Sequence, residues 1–336
     1  MNDEFYMQLA LNEAWKYQGL TYPNPAVGAV VLHNGRIVSI EAHQKAGTAH
    51  AEVLALLSAY ESMQRSKIDF DPTNAHLAHD FLLSLPKNFF SQCTIYVTLE
   101  PCAHQGKTPS CATLLQTLAL KSIVIGTKDP IVGHNDGISI VGRGVPTPTI
   151  KVGVSEQACK ALLEPFLIWQ DRAFVLFKLA QTSNGRIGGG YLSSKASLTH
   201  VHQLREACSR LLIGGNTVRI DRPTLDCRFN DGIAPDVTIY SKKDDFDRQI
   251  SLFYVQNRKV EIRDDLDFLD IPSFVIVEGG EGMLEALKER IDCLLIYQTP
   301  KLSSNSLTYN TTMNLEFLHT EKKDLDTIIW SKNLGH

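Results

Sequence analysis

The chain has 336 residues, 43% of them hydrophobic and 21% charged, with a formal net charge of −4. That length gives room for two ordinary domains, each with its own core, and the composition excludes a disordered or fibrous chain. The slight acidity provides no positive field to draw the chain to nucleic acid, and no apolar run approaches the roughly 20 residues of a membrane span. Small-molecule chemistry is the class left standing.

The opening MNDEFYMQLA is acidic and amphipathic rather than a basic segment ahead of an apolar signal core, so a cytoplasmic location is expected. Seven cysteines, an odd number, are spread thinly over the chain. Disulfides are not expected, and neighbouring cysteines are read as possible metal ligands.

Residues 3–18 space Phe5, Leu9, Ala10, Ala14 and Tyr17 as one face of a helix that stops at Gly19. AVGAVVLHNGRIVSIEAH predicts a hairpin turning at Asn34-Gly35, a pair that tolerates the positive φ angles of a tight turn. HAEVLALLSAYESMQ predicts a helix with His50 at its start. Residues 64–91 are polar and mixed and are expected to form a surface insertion without assigned structure. CTIYVTLEP predicts a strand ended by Pro101, SCATLLQTLAL a helix, and SIVIGTKDP a further strand. Residues 137–148, rich in Gly and Pro, read as a loop before a short strand, TIKVGV, and a helix, SEQACKALLEPFLIWQ. A hairpin followed by alternating strands and helices predicts a three-layer α/β/α sandwich.

The second half opens with FVLFKLAQTSNGRIGGG, a strand running into a Gly-rich turn. A helix over 196–208, the strand RLLIGGN, strands through 236–263, the strand SFVIVEGG and the helix GMLEALKE continue an alternating α/β pattern. Domains of 1–171, including a linker helix, and 172–336 are expected.

The chemistry concentrates in two segments. His50 and Glu52 stand two apart at a helix start, and Cys102 and Cys111 flank eight residues after a strand. One imidazole and two thiolates leave the fourth position of tetrahedral zinc open to water, as a catalytic rather than a structural site requires. Zinc lowers the pKa of such a water toward neutrality. Glu52 is then expected to shuttle a proton from the water to a substrate ring and on to departing ammonia. The start of the helix near Ser110 favours thiolate at Cys111 through the helix dipole. A structural zinc would bring a fourth protein ligand, for which His104 is the nearest candidate.

H-A-E followed by P-C is the zinc deaminase signature, but the nucleic-acid branch uses P-C-x-x-C, which this chain lacks. Instead TLEPCAHQGKTPSC, with YPNPAVGAVV, AHAEV, KDP and GRG, resembles the deaminase half of the bifunctional riboflavin-biosynthesis deaminase/reductase family over most of residues 1–150. The resemblance implies a cytidine-deaminase-like domain with one Zn2+, acting on a diaminopyrimidinone that carries a phosphoribosylamino group. It also implies that Asn24 and His43 hold the pyrimidine while His104 and Lys107 face the ribose phosphate. The distance from Glu52 to Cys102 is about twice that usual in the family. The extra segment carries His76 and His79, read as solvent-exposed histidines rather than further ligands.

FKLAQTSNGRI, LLIGGNTVRIDRPTLDCR and FVIVEGGEGMLEAL resemble the reductase half of the same family, implying a dihydrofolate-reductase-like α/β domain using NADPH. No G-x-G-x-x-G fingerprint occurs. By this resemblance Ala180, Tyr191, Thr217 and Asp221 lie on the NADPH side, while Arg205, Leu225, Arg228 and Glu278 line the ribose-phosphate substrate. Lys178 is expected near the sugar. Gly280, leading into a helix, is expected to present backbone N–H groups to the cofactor pyrophosphate. The chain departs from the family at Asn184 for Asp, at Gly189 for a hydroxyl residue, at Tyr191 for Trp and at Arg222 for the second Asp of an Asp-Asp-Pro. The expected whole is a homo-oligomeric enzyme with a small-molecule substrate and neither a nucleic-acid nor a membrane partner. Three rivals are a nucleic-acid deaminase, a zinc-stabilised binding protein, and a deaminase whose degenerate second half serves binding or assembly.

Overall fold

The computed structural model describes residues 2–133, 135–188, 190 and 192–335. They form two compact units, residues 1–166 and 167–336.

In the first unit α1 (Asp3–Trp15) is capped by the Asn2 side chain, which accepts from the Phe5 N–H at 3.1 Å. The hairpin β1 (Gly28–His33) and β2 (Arg36–Ala42) turns at Asn34 and Gly35, with φ of 50° and 75°. Then come α2 (Ala51–Gln64), α3 (Ala75–Ser84), β3 (Cys93–Leu99), α4 (Cys111–Thr117), β4 (Ser122–Thr127), α5 (Gly137–Val141), β5 (Thr149–Val152) and α6 (Glu156–Asp171). The division between the units falls within α6.

The five strands pair in the order β2-β1-β3-β4-β5, antiparallel through the hairpin and β1–β3 and parallel from β3 to β5. Alternation along β1 separates two helical layers. Ala29 and Val31 join the core packed around α2, whereas Gly28 faces α1 so closely that a Cβ there would lie 1.9 Å from the Ala10 carbonyl oxygen. This is the expected α/β/α sandwich.

Two local expectations are corrected. Residues 64–91 are not a polar surface appendage: α3 is capped by Asn74, and Ala75, Ala78, Leu82 and Phe90 enter the main core. His79 is buried in that helix, whereas His76 is exposed. The stretch 137–148 contains α5 because Glu100 accepts the Ile138 N–H at 3.0 Å, satisfying a donor at the start of that turn. Gly137 is required there, since a Cβ would lie 1.9 Å from the Pro101 carbonyl oxygen.

The second unit contains β6 (Ala173–Thr182), α7 (Lys195–Ala207), β7 (Arg210–Gly214), α8 (Gly215–Asp221), β8 (Asp236–Tyr240), β9 (Val260–Arg263), β10 (Ser273–Glu278), α9 (Glu281–Leu287), β11 (Cys293–Thr299), β12 (Leu315–Lys323) and β13 (Asp326–Asn333). The sheet order is β12-β13-β11-β6-β10-β7-β8-β9, parallel from β11 to β9 and antiparallel at the C-terminal hairpin. Of the Gly-Gly-Asn-Thr segment expected as a turn, Gly215, Asn216 and Thr217 form the first turn of α8, with Gly214 at its N-cap. The hairpin β12–β13 was not expected from the sequence.

No helix among the described residues is long and apolar enough to cross a membrane.

Candidate active site

The first site is assembled from the start of α2 and the loop between β3 and α4. His50 occupies the N-cap position of α2 in an extended conformation, and its side chain is not used for capping. That frees the imidazole. Its Nδ1 lies 3.6 Å from the Cys102 sulfur and 3.4 Å from the Cys111 sulfur. Among the described residues, one atom from each of His50, Cys102 and Cys111 lies within 4.8 Å of the others, the one such group of three potential ligands.

The loop is held from inside. Ser110 caps α4 by accepting the Thr113 N–H, and its hydroxyl donates to the Cys102 carbonyl at 2.8 Å. The Cys111 N–H points at the Cys102 sulfur at 3.3 Å. The second ring nitrogen of His50 meets the Thr108 hydroxyl at 3.1 Å. With Nδ1 facing two sulfurs, the Nε2 proton donates to that hydroxyl, the outer bond that fixes the tautomer of a metal-ligating histidine. Thr108 was missed in the sequence because a threonine inside a polar loop carries no signal of its own.

The donor set fits zinc: one imidazole nitrogen and two sulfurs on one point, with no fourth protein ligand among the described residues. Hydrogen bonds from Cys111 and His50 hold the Cys102 thiol well down, at about 4, although burial opposes this. The bond to Cys102 and burial hold the Cys111 thiol up. Burial works against a charged His50, but the Cys102 thiolate raises it overall. A divalent cation removes this competition by accepting both sulfurs as thiolates.

Glu52 sits in the first turn of α2, 4% exposed. Burial, followed by the charge of Cys102, pushes its carboxyl up to about 7, a value matched to proton transfer near neutral pH.

Asn24 and His43 join this cluster. The His43 Nδ1 meets the Ala49 carbonyl at 3.2 Å, which can only accept, so Nε2 is left to accept from the Asn24 amide at 3.2 Å. The His43 ring stands edge-on to His50, with centroids 5.1 Å apart. Burial and the neighbouring His50 lower His43 to about 4. His104 and Lys107 lie on the exposed part of the loop between the two cysteines. Glu100, also missed in the sequence, is buried and accepts the N–H groups of Asp129 and Ile138, tying the end of β3 to the following loops.

In the second unit, parallel register sets Lys178, in the middle of β6, beside Glu278 at the C-terminal end of β10, the end at which α/β sheets present ligand sites. The Arg205 fork donates to both Glu278 oxygens, at 2.7 and 3.0 Å, and to the Asp226 carbonyl at 3.1 Å. Lys178 Nζ lies 3.7 Å from Glu278. Despite burial, these cations hold the Glu278 carboxyl down at about 2. Arg205 is thus engaged by the protein, while Arg228 is exposed and uses only Nε, toward Asp226 at 2.8 Å. Leu225 is buried at φ 56°, with its carbonyl held by Arg258 at 2.7 Å.

On the expected cofactor side, Gly214 and Gly279 both leave room for Met283, which brings the turn carrying Thr217 beside the turn carrying Gly280. Gly280 itself faces open space. The helix after it is only seven residues long, and its first residue, Glu281, accepts from Asn310 and Thr311. Ala180 pairs with Tyr297 across the sheet, and Asp221 is exposed at the end of α8. Tyr191 and Gly189 lie outside the described residues.

The two units define a zinc-deaminase-type domain followed by a reductase-type domain. Residues 1–127 match the zinc-binding region of cytidine and deoxycytidylate deaminases, and residues 173–307 match the RibD C-terminal domain. The chain belongs to the RibD family of riboflavin biosynthesis proteins. RibD of Aquifex aeolicus is 36% identical over 239 residues, covering 68% of this chain and 58% of the relative. RibD of a Synechocystis species is 33% identical, covering 67% and 55%. The match therefore spans little more than half the length of these relatives. A Thermotoga maritima diaminohydroxyphosphoribosylaminopyrimidine deaminase/5-amino-6-(5-phosphoribosylamino)uracil reductase is 25% identical, with 98% of each chain covered and a TM-score of 0.65. RibD of Acinetobacter baumannii shares the fold at 22% identity and a TM-score of 0.64.

Two outcomes follow from this geometry. Thr108→Val should weaken zinc binding about 10–100-fold without unfolding the chain, as read by competition with a chelator. Glu278→Gln should destabilise the second unit by about 3–5 kcal/mol, because Arg205 is left as an uncompensated buried charge. The stabilisation from Glu278 is complete above 4.5, its ordinary value, and is lost as pH falls through about 2. Acid unfolding of the variant should therefore lose its steepness in that window, as followed by circular dichroism.

Proposed function

We propose that the chain is a bifunctional enzyme of riboflavin biosynthesis, hydrolytically deaminating 2,5-diamino-6-(5-phosphoribosylamino)pyrimidin-4-one and then reducing its ribosyl group to ribityl with NADPH. The observation that carries this reading is the buried Glu52 carboxyl at the start of the helix whose N-cap, His50, meets Cys102 and Cys111. The deaminase takes residues 1–171 and the reductase 172–336. A cytoplasmic, homo-oligomeric enzyme without a nucleic-acid or membrane partner belongs to the same reading, and relatives named for riboflavin biosynthesis support its small-molecule substrate.

His50, Cys102 and Cys111 would hold the zinc, which would supply the Lewis acidity that makes water nucleophilic near neutral pH. Glu52 takes a proton from that water, passes it to the ring nitrogen and then helps ammonia leave. Asn24 presents its remaining amide groups to the pyrimidine edge while His43 fixes its orientation. His104 and Lys107 receive the ribose phosphate. The second unit would hold NADPH, which would supply the hydride equivalent for reduction at C1′ of the ribosyl group. Arg228 and Lys178 bind the phosphate and sugar, with Glu278, Arg205 and Leu225 shaping that pocket, and Ala180, Tyr191, Thr217, Asp221 and Gly280 border the cofactor.

The zinc-loaded chain, given the diaminopyrimidinone ribosyl phosphate with and without NADPH, should release ammonia in both cases and oxidise NADPH only when it is supplied. Ammonia release without NADPH oxidation would favour a deaminase with a degenerate second half, and neither signal would sink the proposal. Glu52→Gln should keep its zinc and lose about 10²–10⁴-fold in ammonia release. Loss of the metal instead would remove the proton-shuttle role. Arg228→Ala should raise the KM of reduction about tenfold or more, as expected for a lost charged phosphate contact, and leave ammonia release unchanged.

A further inference from the structure

We infer that His79, on the helix inserted between the two limbs of the metal cluster, is a substrate-positioning residue that hydrogen-bonds the pyrimidine in the deaminase site. The inference rests on the deaminase reading above. The inserted segment is anchored to both limbs. The Thr73 carbonyl accepts the Ala49 N–H at 2.8 Å, fixing the start of the insertion against the residue before His50. The stripe Ala75, Ala78 and Leu82 on α3 enters the same core cluster as Cys111, Ala112 and Leu115 of α4, with Cys102 packed against it.

His79 lies on that stripe, four residues after Ala75 and three before Leu82. It is 5% exposed and feels the charges of Cys102 and His50. A buried imidazole ordinarily finds a hydrogen-bond partner. The His79 side chain makes no hydrogen bond among the described residues, whereas His43, the other buried histidine beside the cluster, uses both ring nitrogens. His79 does not join the zinc ligands, because among the described residues the ligand atoms within 4.8 Å of one another come from His50, Cys102 and Cys111.

Burial keeps the His79 ring neutral, with its pKa lowered to about 4. It therefore offers one N–H donor and one lone pair, the complement of a pyrimidine edge carrying exocyclic amines and a carbonyl. An insertion that brings such a group to the wall of the site adds an anchor for the heterocycle without altering the metal ligands.

The test uses the full zinc-loaded chain, with ammonia release from the diaminopyrimidinone ribosyl phosphate measured over a range of substrate concentrations. His79→Leu should raise KM about three- to tenfold, as one lost hydrogen bond predicts, with kcat within about twofold and zinc content unchanged. His79→Asn, which keeps a donor and an acceptor, should recover at least part of the loss. Unchanged KM in His79→Leu alongside normal ammonia release would overturn the role of His79 and leave the deaminase reading standing. Loss of zinc or of folded protein in both variants would assign the histidine to packing and overturn the inference. No ammonia from the unaltered chain would instead overturn the deaminase reading, and this inference with it.

Discussion

The convergence of His50, Cys102 and Cys111 on one point is the constraint around which the first unit is arranged. A buried carboxyl, two thiols and an imidazole in so small a space are stable only if their charges are matched, and the donor set is matched by a dication. Meeting that condition requires the start of α2 and the start of α4 to be held together. Pairing of β1 with β3 brings the two chain segments together, the Ser110 cap closes the loop, and the Glu100 carboxylate ties down the segments beyond it. The close approach of Gly137 to Pro101 belongs to the same scaffold.

Much of this was legible because the chemistry uses residue types that are costly to bury without a reason. A His-x-Glu at a helix start and two spaced cysteines stand out in any sequence, and the hairpin announced itself through Asn34-Gly35. What was hidden depends on context. Thr108 and Ser110 look like ordinary loop residues until the loop is folded, since their value lies in the bond each makes to a ligand segment. The helix α3 was concealed by its mixed exposed face, where Leu77 and Leu83 stand among His76 and Asp80 and blur the apolar stripe, and by the acidic, proline-containing stretch ahead of it, although Ala75, Ala78, His79 and Leu82 fall at helical spacing. The edge strand β12 shows no simple alternation of buried and exposed residues, so its sequence carries little of the period that identifies a half-buried strand. The short helix α8 spans only two turns, too few for periodicity to distinguish it from a turn.

The second unit raises a different physical question, which is whether Lys178, Glu278 and Arg205 are there for stability. Buried ion pairs are a poor way to stabilise a fold, because the cost of desolvating the charges largely offsets their attraction, and apolar replacements of similar volume are often as stable or more so. The surrounding strands already bury Phe177, Val277, Leu212 and Ile213 in continuous apolar layers, and the sheet does not need charges near its strand ends in order to fold.

That comparison bears on whether the second unit is a working site or a relic. In a domain relieved of its chemistry, the buried carboxylate and the two cations would be free to drift toward apolar residues with little loss of stability, and breaking any one of them alone would be costly. Here the network is intact, and Arg228 lies exposed beside it, paired through Nε with the carboxylate of Asp226, whose carbonyl accepts from Arg205. A fixed, paired core of charge with an exposed guanidinium at its edge would suit the proposed binding of a phosphorylated sugar, the buried members setting the field and geometry and the exposed member facing the anion. The departures at Arg222 and Asn184 lie in other segments. Arg222 pairs with Asp247 on the exterior, and Asn184 closes the turn after β6 through Thr182 and Ser303. Neither change disturbs the charged cluster, as expected of a functional rather than a degenerate reductase half.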